Sequence, residues 1–186
     1  MNTFARWNQN RILQQTMHTN QRKNRSGWPV LYLFLDFDGV INVPYEVGTH
    51  QYAQAVDTGD FRLANQHCVE RLSRLCLEFK PKVIITSSWR YSGLDYCRQY
   101  LQESGLDKQV NVCGMLPVEE EDRRENQILH YLARHPDYEG ILILDDMKMD
   151  VLADYQVRTE FDFGYTDACD KQARAIFQRS LKREVS

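Results

Sequence analysis

The sequence predicts an α/β domain of three layers, a central and mostly parallel sheet with helices on both faces, and three observations lead to it. Val30–Leu35, Val83–Ile85 and Gly140–Leu144 are continuous apolar runs, the pattern of strands buried on both faces. Between them, apolar residues recur at helical spacing. Each run then ends in polar chemistry: Asp36-Phe37-Asp38, Thr86-Ser87-Ser88 and Asp145-Asp146. Strands alternating with helices imply crossovers and a parallel sheet. Ligands of such sheets bind beyond the carboxyl ends of the strands, where the strand order reverses.

In chain order, the first strand is bounded by Pro29 and Asp36. Residues 42–61 read as loop. Leu63, Val69, Leu72, Leu75, Cys76 and Phe79 share one helical face until Lys80-Pro81 stops it. The second strand, Val83–Ile85, precedes a helix marked by Leu94, Cys97 and Leu101 and ended by Gly105, and Val110–Cys113 reads as a weaker strand. Glu125–Arg134 turns Ile128, Leu129 and Leu132 inward and closes at His135-Pro136. After the third strong strand, Val157–Thr159 reads as a short edge strand. Thr166 caps a last helix with Ala173, Ile176, Phe177 and Leu181 on its apolar face.

Composition excludes other classes. At 186 residues the chain has the size of one domain, and its 42% apolar and 26% charged fractions are ordinary for a globular protein. No apolar run approaches the roughly 20 residues that span a bilayer. Five cysteines without CxxC spacing or a close His pair indicate neither a zinc site nor a disulfide framework, so a reducing, cytoplasmic setting is expected. Residues 1–28 carry Arg6, Arg11, Arg22, Lys23 and Arg25 and no acid, which leaves 18 bases against 26 acids in residues 29–186. The expected organisation is a basic N-terminal arm or short helix over 1–28 and one domain over 29–186. The arm packs on the domain or contacts phosphate or nucleic acid.

Side chains alternate along a strand, so Asp36 and Asp38 point to one side while Phe37 turns into the core. Two carboxylates so close repel each other unless a cation joins them. Hard oxygen ligands suit Mg²⁺, and Asp145-Asp146 on another strand end complete its protein share. Gly39 suits a backbone that turns tightly or approaches a ligand.

At these residues the chain resembles the haloacid dehalogenase (HAD) superfamily of phosphotransferases. DxDGV at 36–40, a strand ending in Ser or Thr at 83–87, a basic residue opening a helix at 123 or 124, and ILILDD followed by Asp150 stand in that superfamily's order. The FGYT string before the last helix is similar too, and TSSWR and R-x-x-x-I-x-x-YL are similar to a small HAD branch found in RNA-repair proteins. The resemblance implies a Rossmann-like fold and an Mg²⁺-dependent phosphomonoester hydrolase. Asp36 would be the nucleophile that forms an aspartyl phosphate and also a metal ligand, and Asp38 the acid and base, binding metal through its backbone carbonyl. Asp146, with Asp145 beside it, would hold Mg²⁺. Ser87 would bond a phosphoryl oxygen, with Thr86 competing for that role. The superfamily usually has a lysine where Arg124 stands; Arg124 fills that place here, with Arg123 and Lys148 as alternatives.

Other polar residues have plainer readings. Trp89 is expected in the core, Arg90 binds substrate phosphate or an acid, Asp150 supports the site or caps a helix, and His67 and His130 are structural or exposed. Spacing leaves no room for a cap domain, only a loop lid over residues 42–61 with Tyr45 and Tyr52 near the substrate. An open site suits phosphate on a nucleic-acid end, a nucleotide or a phosphoprotein. The competing reading is a non-catalytic module that binds nucleic acid or protein on the same fold. A phosphorylated receiver domain is disfavoured because its phosphorylated acid stands on a middle strand.

Overall fold

The computed structural model describes residues 29–45, 47–58, 64–118 and 122–182. The expected arm over 1–28, Leu63, and the acidic residues 119–121 lie outside the described residues. Five parallel strands form one sheet in the order β3-β2-β1-β4-β5: β1 Leu31–Leu35, β2 Lys82–Ile85, β3 Val112–Met115, β4 Gly140–Asp145 and β5 Gln156–Arg158. The helices are α1 His50–Thr58, α2 Gln66–Phe79, α3 Leu94–Glu103, α4 Arg124–Arg134 and α5 Asp167–Lys182. Among the described residues there is no second unit over the sheet's carboxyl edge.

Every residue of β1 and β4 is buried, because alternate side chains enter two different cores. Leu31, Leu33, Leu35, Val83, Ile85, Leu142 and Leu144 face α2, α3 and α5. Tyr32, Phe34, Ile84, Ile141 and Ile143 face α4. Each fully buried large side chain contributes about 1.5–3 kcal/mol relative to exposure. The chain runs outward from β1 through β2 to β3 and then returns to β4 on the other flank of β1. The strand order therefore reverses between β1 and β4, where Asp36 and Asp145 stand.

Capping explains the helix limits. Asn65 Oδ1 accepts the His67 and Cys68 N–H groups at the start of α2, and left-handed Lys80 (φ 50°) ends it. Thr166 Oγ1 accepts the Cys169 N–H before α5. Two sequence expectations need correction. Residues 50–58 are helix, not loop: Thr49 Oγ1 caps the Tyr52 N–H at 3.2 Å. Of the described side chains of α1 only Ala55 is buried, so no apolar stripe announces the helix. The third strand is displaced to Val112–Met115. Its register against β2 shifts between Val83 and Ile84, and it passes through Gly114 with none of its residues buried, so alternation is weak there.

Candidate active site

β1 and β4 pair in register up to Leu35 and Leu144, and the Asp36 N–H continues the ladder to the Leu144 carbonyl at 3.0 Å. This places the two strand-end acids side by side. Asp36 keeps 4% of its surface exposed and Asp145 none. Arg124, the first residue of α4, donates from one Nη1 to Asp36 Oδ2 and to Asp145 Oδ2, the latter at 2.7 Å. Cations at a helix N-terminus oppose the helix dipole; here two buried carboxylates overcome that cost. Asp36 Oδ1 accepts the Phe37 N–H and Asp145 Oδ1 the Met147 N–H.

One oxygen each of Asp36, Asp145 and Asp146 lie within 4.8 Å of one another. Gly39 (φ 71°) completes this cradle: a Cβ there would meet the Asp146 Cβ and Cγ at 2.9 Å. Its carbonyl is fixed by the Thr159 hydroxyl at 2.6 Å. Burial raises the Asp36 pKa, against the pull of Arg124, the Phe37 N–H and the Ser87 hydroxyl. Burial pushes Asp145 up to about 6 in spite of Arg124, and the Asp36 charge adds to the rise. Burial also opposes the Arg124 charge, but Asp36 and Asp145 outweigh it and raise its pKa. When ionised, the three carboxylates exceed the one guanidinium that touches them among the described residues by two negative charges; Arg158 reaches only the Asp146 backbone carbonyl. That excess and the all-oxygen donor set fit one divalent hard cation.

Asp38 lies outside this trio. Its Oδ1 accepts Asn42 Nδ2 and its Oδ2 accepts Trp89 Nε1, both at 3.0 Å. Ser87 and Thr86 are both fully buried at the end of β2. The Ser87 hydroxyl stands near enough to Asp36 to favour its charged form and accepts the Trp89 N–H; Thr86 Oγ1 has no hydrogen-bond partner among the described residues. Arg123 is exposed at the helix start, and Lys148 is exposed and pairs with Asp150 at 3.2 Å. The geometry thus brings Asp36, Arg124, Asp145, Asp146 and Ser87 together. It holds Asp38 beside them by other contacts and leaves Arg123 and Lys148 facing outward.

Several supporting groups were not read from the sequence as such. Arg90 touches neither acid directly: its buried guanidinium donates to the Thr86 and Ser87 carbonyls at 2.7 and 3.0 Å and to Gln127 Oε1 at 3.1 Å. Glu125 Oε1 accepts the Val151 and Leu152 N–H groups. The first turns of α4 therefore bind the loops after β1, β2 and β4 at once. Helical spacing marks the buried Gln127 as a core-facing position beside Ile128, but nothing in the sequence names its partner. Trp89 packs on the core yet its N–H reaches Asp38. Neither His67 nor His130 belongs to the site; both are exposed on helices.

The sheet, its acid-bearing switch point and the basic residue of α4 define a HAD-type domain. Residues 32–169 match the family described as the HAD domain in Swiss Army Knife RNA repair proteins, and the chain belongs to that family. No curated protein and no solved structure matches it. No described helix is long and apolar enough to cross a membrane.

Proposed function

We propose that this chain is an Mg²⁺-dependent phosphomonoester hydrolase working through an aspartyl phosphate, with phosphorylated nucleic-acid ends as its substrate class. The observation that carries this reading is the junction of Asp36 and Asp145 on one Arg124 nitrogen, with Asp146 in reach of both. Acids from two strand ends and a cation from a helix start meet at a single point, with a charge excess suited to one divalent ion.

Asp36 is cast as nucleophile. Its Phe37 and Arg124 contacts fix the carboxylate plane, and one oxygen attacks phosphorus as the ester oxygen leaves. Arg124 neutralises the acid pair and then the phosphoryl oxygens that approach it. Ser87, buried beside Asp36, donates to a phosphoryl oxygen, with the buried Thr86 hydroxyl next to it. Asp38 gives a proton to the leaving oxygen and later takes one from the attacking water. Asp36, Asp146 and the Asp38 carbonyl would hold Mg²⁺, with Asp145 beside them, and when bound it supplies neutralisation of the transferring group's charge.

The lack of a second unit over the carboxyl edge, among the described residues, and the RNA-repair proteins in which this family is described both favour a large substrate. The reading is tested by phosphate release with Mg²⁺ from oligonucleotides phosphorylated at the 3′ or 5′ end, phosphopeptides, nucleotides and sugar phosphates. Turnover of an oligonucleotide end, abolished in a folded Asp36→Asn protein, is the expected result. Turnover confined to sugar phosphates would refute the substrate class. Binding of nucleic acid with no turnover of any ester would point to a non-catalytic module.

A further inference from the structure

Asp36 is gripped by a charge, whereas Asp38 is gripped by neutral donors. The Trp89 indole N–H and the Asn42 amide each donate to one of its oxygens at 3.0 Å. Asn42 Oδ1 in turn accepts the Tyr100 hydroxyl. The Tyr100 ring lies against the Trp89 ring with centroids 4.4 Å apart. Three hydrogen bonds and one ring contact thus close a circuit of four side chains, of which the Asp38 carboxylate is one. Fully buried Phe37 backs both rings, at 5.8 Å from Trp89 and 5.6 Å from Tyr100. Burial raises the Tyr100 pKa and keeps its hydroxyl a donor to Asn42.

We propose that Trp89, supported by Asn42 and Tyr100, is a positioning residue that aims the Asp38 carboxyl at the leaving oxygen. The proposal rests on the phosphoryl-transfer reading of the site given above. An indole N–H only donates, so it fixes an oxygen without competing for the proton Asp38 carries. A carboxyl group offers about four lone-pair positions, and two donors leave room for that proton. An arginine in the same place would favour the carboxylate strongly and hold the proton off; neutral donors orient the group in both of its forms. As the Asp36 oxygen bonds phosphorus and the bond to the ester oxygen breaks, the Asp38 proton passes to that oxygen and Asp38 becomes a carboxylate. In hydrolysis Asp38 takes a proton from water while the water oxygen bonds phosphorus and the bond to Asp36 breaks, which restores both residues.

Positioning of an acid has a signature that packing lacks: it matters in proportion to how badly the leaving group needs a proton. The test compares kcat/KM, which covers the expulsion step, for benzyl phosphate, whose alkoxide needs protonation, and 4-nitrophenyl phosphate, whose phenolate does not. Full-length Trp89→Phe keeps a ring against Phe37 and Tyr100 but lacks the N–H. Its loss on the benzyl ester is expected to exceed that on the nitrophenyl ester by about tenfold. Tyr100→Phe, which frees the Asn42 amide, is expected to show a smaller loss with the same selectivity and serves if Trp89→Phe does not fold.

A second readout needs no turnover. The Trp89 indole ¹H–¹⁵N resonance, identified by its absence in Trp89→Phe or by sequential assignment, is expected to move and to lose protection from hydrogen exchange in Asp38→Ala. Equal losses on the two esters, no loss on either, or an indole resonance indifferent to Asp38 would overturn the proposal while leaving an active wild type, and so the hydrolase reading, standing. A wild type inert toward every phosphomonoester would remove both.

Discussion

Lys82 meets Asp137 at the amino end of the sheet with 37% and 58% of their side chains exposed, whereas Arg124 meets Asp36 and Asp145 at the carboxyl end with 15%, 6% and 0%. The contrast extends beyond these pairs. Among the described residues the buried polar side chains, tyrosines aside, are Asp36, Asn42, Ser73, Thr86, Ser87, Arg90, Gln127, Asp145 and Thr159. All but Ser73 sit at or just beyond the carboxyl ends of strands or in the first turns of α4. Removing a charge from water costs several kcal/mol even after relaxation, and a buried pair often recovers no more than that cost. Packing alone would fill the carboxyl end with leucine. A fold that accepts this cost at one end of its sheet and avoids it at the other marks that end as the place of its candidate site.

The contrast breaks most visibly if Arg124 is removed. Arg124→Ala leaves two buried acids without their shared donor, and losing one partner of a buried pair costs about 3–5 kcal/mol. For a chain of this size that corresponds to a fall in Tm on the order of 10 °C, together with loss of phosphatase turnover. Arg124→Lys keeps the charge on a shorter side chain with different donor geometry and should regain part of both. Calorimetry in Mg²⁺-free buffer checks the stability effect, and an unchanged Tm would mean that the carboxyl-end acids are effectively hydrated.

A smaller, conditional effect is expected from Mg²⁺. Asp145 has a pKa of about 6 in the fold against 3.8 for the free acid, so the folded state holds its proton longer than the unfolded chain. Stability from this group is therefore highest below about 4, falls as pH rises toward 6, and stays at its lower level above that. A divalent ion bound by ionised acids reverses this loss, and its affinity rises over the same range because binding must displace protons. At about 100-fold above its Kd a ligand adds about 2.7 kcal/mol. Mg²⁺ should therefore raise Tm at pH 7.5 and do so by less than half as much at pH 5, and Asp146→Asn should abolish the gain. Equal gains at both pH values would place the ion elsewhere.

The same contrast explains what could be read in advance. β1 and β4 are legible because burial on both faces demands uninterrupted apolar residues, and Asp36, Asp38, Asp145 and Asp146 are legible because they interrupt that demand at the strand ends. α1 was not: only Ala55 among its described side chains is buried, and a helix that packs by one methyl writes no periodicity. The choice between Arg123 and Arg124 also needed three dimensions. Adjacent residues on a helix point about 100° apart, and only the backbone path at the start of α4 shows which one faces the acids. Arg90 and Trp89 are partners of backbone carbonyls and of Asp38 through contacts that cross 3 to 51 positions of chain, and composition carries no trace of them.

The smallest effect is expected at the amino end. Lys82 Nζ stands 3.6 Å from Asp137 and 5.4 Å from the centre of the Tyr32 ring, and the Tyr32 hydroxyl donates to Asp137 at 3.3 Å. On paper this is a network, yet both charged side chains are more than a third exposed. Pairs of that kind are worth about 0–1 kcal/mol, because water solvates each ion and ordering two side chains costs entropy. The Tyr32 ring is buried, but the Lys82 ammonium stays hydrated, so this cation–π contact adds about 0.5–1 kcal/mol. Lys82→Ala should therefore lower Tm by a few degrees, at most about 8 °C, and leave phosphate release unaffected, since no described residue of the proposed site touches it. Raising the salt to about 1 M shortens the screening length to about 3 Å, so wild type and variant should converge. A larger fall in Tm that survives salt, or any loss of turnover, would mean that the amino end shares the energetic character of the carboxyl end, and the separation between the sheet's two ends would no longer identify its site.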